Sequence, residues 1–113
     1  MINYTVDIIK RKNGDIEYIP SFSKQEYLIL EIFLTSEVRS FKTDIIDALT
    51  KASDGTSFGG NCCFLDINEG MATVEAQFGD AMGDPVTLPV DELIDIINRW
   101  CEDIKDLPKR AEE

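Results

Sequence analysis

Two stretches in the middle of the chain alternate between apolar and polar residues, and the turn 68–71 separates them. When 61–67 and 72–78 pair as antiparallel strands about this turn, one side of the pair is wholly apolar. The facing residues on that side are Ile67 with Ala72, Leu65 with Val74, and Cys63 with Ala76. The other side carries Phe64, Asp66, Thr73 and Glu75. A shift by one residue would mix the two sides, so the pattern predicts a hairpin with one buried face and one wet face.

The N-terminal segment predicts another hairpin. Residues 3–10 alternate as a strand does, and residues 15–19 could pair back against them. Between them, Asn13-Gly14 is a strong signal for a two-residue hairpin turn. Such a turn predicts that Lys10 faces Glu17 and Ile8 faces Ile19.

Two helices are predicted between the hairpins. Ser23 and Glu26 have the spacing of a capping box, which predicts a helix from about 24 to 35. Residues 27–34 are apolar nearly all round, which indicates burial and leaves a buried strand as the alternative. A second helix, with Ser40 or Thr43 as its N-cap, is indicated by the helical spacing of Phe41, Ile45, Ala48 and Leu49. The glycine-rich segment 54–61 is then expected to be a loop.

The pattern after Pro89 is that of an amphipathic helix. Its apolar stripe is formed by Val90, Leu93, Ile94, Ile97, Trp100, Cys101 and Ile104. Such a stripe predicts that the helix packs on the hairpin 61–78, with Trp100 as a core anchor. A short extended piece, 86–88, precedes the helix.

The order of these elements is strand, strand, helix, helix, strand, strand, helix, which is typical of an α+β fold. We predict an antiparallel sheet built from two hairpins, with helices packed on one face. A chain of 113 residues suits one domain, so residues 1–113 are predicted to form a single α+β domain with a frayed tail at 107–113.

Acidic residues are unevenly distributed along the chain, whose formal net charge is −11. Residues 1–65 hold nine acids and seven bases, whereas residues 66–106 hold eleven acids and two bases. Such a field repels nucleic acid and anionic membranes, and it attracts basic partners from a distance. We therefore predict a basic protein partner and no binding of nucleic acid.

Catalysis and cofactors are not indicated. The chain has no histidine, so the usual general base and the histidine-activated nucleophiles are missing. Cys62, Cys63 and Cys101 lack metal-ligand spacing and are expected to be reduced thiols. Paired carboxylates leave a small carboxylate enzyme as an alternative. The prediction is a protein that is not an enzyme and uses no metal or organic cofactor.

The apolar segments do not indicate a membrane protein. The longest run, 27–34, is far shorter than the roughly 20 residues that cross a bilayer. The N-terminus also lacks the basic and apolar regions of a secretory signal. We therefore expect a cytoplasmic protein without a membrane partner.

A partner-binding surface is predicted in the acidic half of the chain. Phe64 is expected on the wet face of the hairpin, where an aromatic residue among carboxylates can anchor a partner. The predicted binding residues are Phe64, Asp66, Glu69, Glu75, Asp80, Asp84, Asp91, Glu92 and Asp95.

The segment that runs from Gly60-Asn61-Cys62-Cys63-Phe64-Leu65 to the helix 90–100, about half of the chain, resembles a known family. It is similar to the closing half of small acidic immunity proteins from bacterial contact-dependent growth inhibition and related polymorphic toxin systems. The resemblance implies stoichiometric binding to a toxin domain, often a nuclease. An acidic adaptor, or a nucleic-acid mimic that regulates an endogenous basic protein, is the alternative.

Overall fold

The structure is a computed structural model that describes residues 2–51, 55–60, 62–77 and 83–107. Its strands are β1 (Tyr4–Lys10), β2 (Ile16–Phe22), β3 (Thr56–Gly59), β4 (Cys63–Asn68), β5 (Met71–Ala76) and β6 (Val86–Pro89). Its helices are α1 (Leu28–Ile32), α2 (Val38–Lys51) and α3 (Val90–Ile104), with a 3-10 turn (Gln25–Tyr27) before α1 and a π-helical turn (Phe33–Glu37) between α1 and α2. None of the helices in the described ranges is long and apolar enough to span a bilayer.

The strands form two antiparallel sheets, so the prediction of an α+β fold is confirmed. β1 and β2 make a two-stranded sheet, and the other strands make a four-stranded sheet in the order β3-β4-β5-β6. The two predicted hairpins therefore lie in separate sheets. Helices contact β3, β5 and β6 on one side of the larger sheet, where the core lies.

The register of the central hairpin is confirmed. Leu65 faces Val74 and Ile67 faces Ala72, and all four side chains are buried. The predicted strand ends at 61 and 78 lie outside the described residues. The prediction of a loop over 54–61 is wrong for residues 56–59, because β3 pairs there with β4.

The helical region differs from its prediction. One helical run extends from Leu28 to Lys51, with a non-helical backbone at Phe41 (φ −130°, ψ 27°) where two helices were expected to meet. The capping box predicted at Ser23 and Glu26 is also wrong. The segment begins as a 3-10 turn directly after Lys24, and no side chain caps this turn. The Lys24 carbonyl instead accepts a hydrogen bond from the Tyr27 amide at 3.1 Å. The alternative of a buried strand is excluded.

The helix α3 packs through a narrower stripe than predicted. Its buried residues are Val90, Leu93, Ile96, Ile97 and Trp100. Ile96 was not predicted to be buried, whereas Ile94, Cys101 and Ile104 are only partly buried. The prediction that Trp100 is a core anchor is confirmed, since it is only 2% exposed.

The N-terminal end of strand β1 packs against α3. The Tyr4 ring centroid lies 5.6 Å from that of Trp100 in an edge-on arrangement. The Tyr4 hydroxyl donates a hydrogen bond to the Asp103 carboxylate. Burial raises the pKa of Tyr4, and this hydrogen bond raises it further. Arg99 lies over the same ring and donates to the Ile2 carbonyl at 2.8 Å. These contacts close the N-terminal strand onto the last helix.

The predicted register of the first hairpin is wrong by one residue. Lys10 faces Ile16 and Ile8 faces Tyr18. The reason is the loop, in which three residues rather than two separate Arg11 from Asp15, and Gly14 adopts a positive φ of 93°. A turn followed by a left-handed residue is the common three-residue hairpin connection.

The positive φ of Gly14 predicts a modest loss of stability when this glycine is replaced. Gly14→Ala should lower the free energy of unfolding by roughly 1–2 kcal/mol, because a side chain at this φ is strained. Urea denaturation followed by circular dichroism measures the change. Lys12→Ala, at an exposed position in the same loop, is the control. Equal midpoints for the two variants would show that the turn does not need glycine.

Candidate partner-binding face

One face of the four-stranded sheet is turned away from the helices. We call it the open sheet face, and it is formed by Ser57, Gly59, Phe64, Asp66, Asn68, Met71, Thr73, Glu75, Thr87 and Pro89. Strand register arranges these residues in three rows. The rows are Gly59-Phe64-Glu75, Ser57-Asp66-Thr73-Thr87, and Asn68-Met71-Pro89.

Two large apolar side chains stand at opposite ends of the open sheet face. Phe64 is 43% exposed and Met71 is 37% exposed. Between their rows the Thr73 and Thr87 hydroxyls share a hydrogen bond of 2.9 Å. Apolar groups at two ends of a polar surface are suited to anchoring a protein partner.

The position of Phe64 is supported by the adjacent strand. A Cβ built on Gly59 would lie 3.4 Å from the Phe64 ring, so the ring lies against a backbone that has no side chain. An aromatic residue beside a glycine on a neighbouring strand is a recognised stabilising pair. The ring is therefore pre-positioned on the surface, which lowers the entropic cost of binding through it.

The acids predicted to bind a partner are divided between two layers. Asp66 and Glu75 lie on the open sheet face and are half-buried, whereas Glu69 in the β4–β5 turn is exposed. Asp84 is exposed just before β6. Asp80 lies outside the described residues.

The acids of α3 belong to the layer on the other side of the sheet. Asp91 and Asp95 are exposed and Glu92 is half-buried. Asp95 also accepts a hydrogen bond from Arg99 at 2.9 Å. These three carboxylates therefore lie outside the open sheet face, and they add to the negative field around the molecule.

The acidic character of this region is not balanced by bases. The sequence contains no lysine or arginine between Lys51 and Arg99, a range that includes all four strands of the larger sheet. Carboxylates on and around the open sheet face therefore act in the same direction, and their field favours the approach of a cationic surface.

A buried carboxylate, which the sequence reasoning missed, holds the loop between β3 and β4. Glu37, in the π-helical turn, has no solvent exposure, and its Oε1 accepts a hydrogen bond from the Cys62 amide at 2.8 Å. A Cβ built on Gly60 would lie only 1.1 Å from Glu37 Oε2. The glycine thus leaves room for the carboxylate. The π-helical turn is the feature that moves Glu37 off the regular helical spacing.

The cysteines in the described ranges are free thiols, and one of them is buried. Burial raises the pKa of the Cys63 thiol to about 12, so this thiol stays protonated and weakly nucleophilic at neutral pH. Cys62 and Cys101 are also free thiols. Within the described ranges no group of three Cys, Asp or Glu side chains is arranged to hold a metal ion.

A comparison with curated proteins identifies the family. The chain is 30% identical to an immunity protein of Bacillus cereus over 90 residues, which are 75% of this chain and 77% of that relative. The chain belongs to this immunity-protein family. No family model matches the chain, and no solved structure matches it.

Membership in the immunity-protein family confirms the general resemblance seen in the sequence. The match extends over three quarters of the chain, whereas the predicted resemblance covered about half. It therefore includes elements outside the acidic hairpin and α3.

Proposed function

We propose that this protein neutralises a cognate toxin domain by stoichiometric binding in the cytoplasm, and that the open sheet face forms the contact. The observation that carries the proposal is an acidic face with two exposed apolar anchors, in a chain of the immunity-protein family. The proposed binding residues are Phe64, Asp66, Glu69 and Glu75, with Asp80 and Asp84 beside them and Asp91, Glu92 and Asp95 supplying long-range field.

The charge of the face supports a basic toxin. A nuclease needs a cationic surface to hold phosphate groups, so it is the toxin class that this face suits best. Carboxylates at the rim mainly accelerate association, while a desolvated aromatic anchor mainly slows dissociation. We therefore propose that the acids speed association with the toxin and that Phe64 slows its dissociation.

The partner itself gives the first test. A tagged copy of the chain should retain one protein from its native cell, and mass spectrometry identifies it. Producing that protein's toxic domain alone should stop growth, and co-production of the chain in equal amount should restore growth. A retained partner that is harmless to the cell when produced alone would instead support the adaptor that regulates an endogenous basic protein.

Phe64→Ala should speed dissociation of the complex about tenfold or more, because it removes an anchor whose loss costs on the order of 1.4 kcal/mol or above. Surface plasmon resonance separates the two rate constants, and association should change little. Thr87→Ala, an exposed position on the same face, is the matched control. Equal dissociation rates for both variants would remove Phe64 from the contact.

A further inference from the structure

A second surface lies on the opposite half of the molecule, between the first hairpin and the helices. It is a groove of roughly 1190 Å³. One wall is the β2 strand, the second is the start of α2, and the third is the end of α3. Its apolar lining includes Ile16, Tyr18, Val38, Ile104 and Leu107.

Strand β1, which pairs with the β2 wall of this groove, also exposes apolar residues. Val6 is 37% exposed and Ile8 is 60% exposed, and with Phe64 and Met71 they are the large exposed hydrophobic residues of the described chain. Ile8 faces Tyr18 across the hairpin, so both lie on the same side of it. Exposed β-branched residues beside an apolar groove indicate a surface that is covered in use.

The charges of the groove differ from those of the open sheet face. Glu17 lies on the β2 wall with Asp15 just before the strand, and Arg39 and Lys42 lie on the α2 wall. Glu17 also forms an exposed ion pair with Arg11 of the same chain at 2.7 Å. In the part of the chain that the structure describes, neither Arg39 nor Lys42 forms an ion pair. Opposite charges thus stand on opposite walls.

This arrangement suits a second copy of the same chain. In a two-fold interface the β2 wall of one copy lies against the α2 wall of the other copy, and the reverse contact is also made. Such an interface therefore needs both signs of charge within one patch. A chain with a net charge of −11 repels its copies elsewhere on its surface. The groove and the hairpin beside it have the balanced charge and the exposed apolar residues that self-association requires.

We propose that the protein forms a two-fold symmetric dimer in which the first hairpin of each copy enters the groove of the other. Val6 and Ile8 of the two copies meet near the axis, and the acids of each β2 wall lie against the bases of the other copy's α2 wall. The open sheet faces stay free, so the dimer presents two separate sites for the partner.

Sedimentation velocity on the full chain tests the dimer. In about 0.15 M salt and at micromolar to hundred-micromolar concentration, the mass should rise from 12.7 kDa toward twice that value. Ile8→Asp should remain a monomer across the same range, with an unchanged circular dichroism spectrum because the residue is exposed. A monomer at every concentration for the unaltered chain would overturn the proposal.

Charge variants test the orientation of the two copies. Arg39→Glu should raise the dissociation constant of the dimer about tenfold or more. An equimolar mixture of the Arg39→Glu chain and the Glu17→Lys chain should recover much of that loss, because the opposite charges then meet only between copies. A mixture that associates no more tightly than the Arg39→Glu chain alone would contradict the two-fold arrangement. Phe64→Asp is the control that keeps this interface intact, and it should still dimerise. Because Phe64→Asp and Ile8→Asp affect different surfaces, failure of the dimer is distinguishable from failure of the proposed toxin contact.

Discussion

Gly60→Ala is expected to lower the free energy of unfolding by about 3 kcal/mol or more. The added methyl group would occupy the space of the Glu37 carboxylate, and overpacking of this kind costs about 1–3 kcal/mol. Displacing the carboxylate also breaks its bond to the Cys62 amide, and hydrogen bonds to charged groups contribute about 1.5–3 kcal/mol. Chemical denaturation of the purified variant measures the loss.

A double-mutant cycle shows whether Glu37 is the cause. Glu37→Ala alone should also destabilise the fold, because it leaves the partly buried Cys62 amide without this acceptor. The double variant Gly60→Ala, Glu37→Ala should lose clearly less than the sum of the two single losses, since the new methyl group then has room. Simple addition of the two losses would contradict the assigned contact.

Trp100→Ala is expected to cost about 3–5 kcal/mol of stability, the usual result of removing a large buried aromatic side chain. The indole is 2% exposed and is in contact with the Tyr4 ring, so its removal leaves a cavity between α3 and the first hairpin. Thermal and urea unfolding measure the effect. Phe64→Ala, an aromatic truncation on the exposed face, is the comparison and should cost far less. A loss below about 1 kcal/mol for Trp100→Ala would remove Trp100 from the core.

The central hairpin could be predicted because its pattern is strict. Apolar residues alternate on both strands, so only one register buries them together, and the structure has that register. The first hairpin gives weaker information. Tyr18 and Ile19 are adjacent in β2, so either register sets an apolar residue against Ile8, and Asn13-Gly14 fits a three-residue loop as well as a two-residue turn.

The helical region shows a second limit of local reasoning. Ser23 and Glu26 have capping-box spacing, but the chain forms a 3-10 turn there. A backbone hydrogen bond from the Tyr27 amide to the Lys24 carbonyl takes the place of the side-chain cap. Strand β3 was missed because glycine and small polar residues in 54–61 are typical of loops. Its pairing with β4 is a tertiary contact that local propensity does not contain.

The candidate site was predictable in part for the same reasons. Hairpin register placed Phe64 correctly on the wet face with Asp66 and Glu75. The contact between Glu37 and the loop at Gly60 joins residues far apart in the sequence, and no local pattern indicates it. The separation of the α3 acids from the open sheet face likewise depends on how the layers stack, which the charge count does not describe.

The central claim is that the open sheet face steers a basic partner, and association kinetics with that partner test it most directly. The triple variant Asp66→Lys, Glu75→Lys, Asp84→Lys reverses three charges on and beside the face. The control Glu26→Lys, Asp44→Lys, Asp47→Lys reverses the same number at exposed positions in the near-neutral half. Association should be measured by stopped flow at several salt concentrations.

At low salt the first triple should slow association about tenfold or more and should flatten its salt dependence, because long-range attraction is the quantity removed. The control triple should change the rate much less. Equal slowing by both triples would contradict the account, since it would mean that net charge, and not the open sheet face, sets the rate at which the partner is bound.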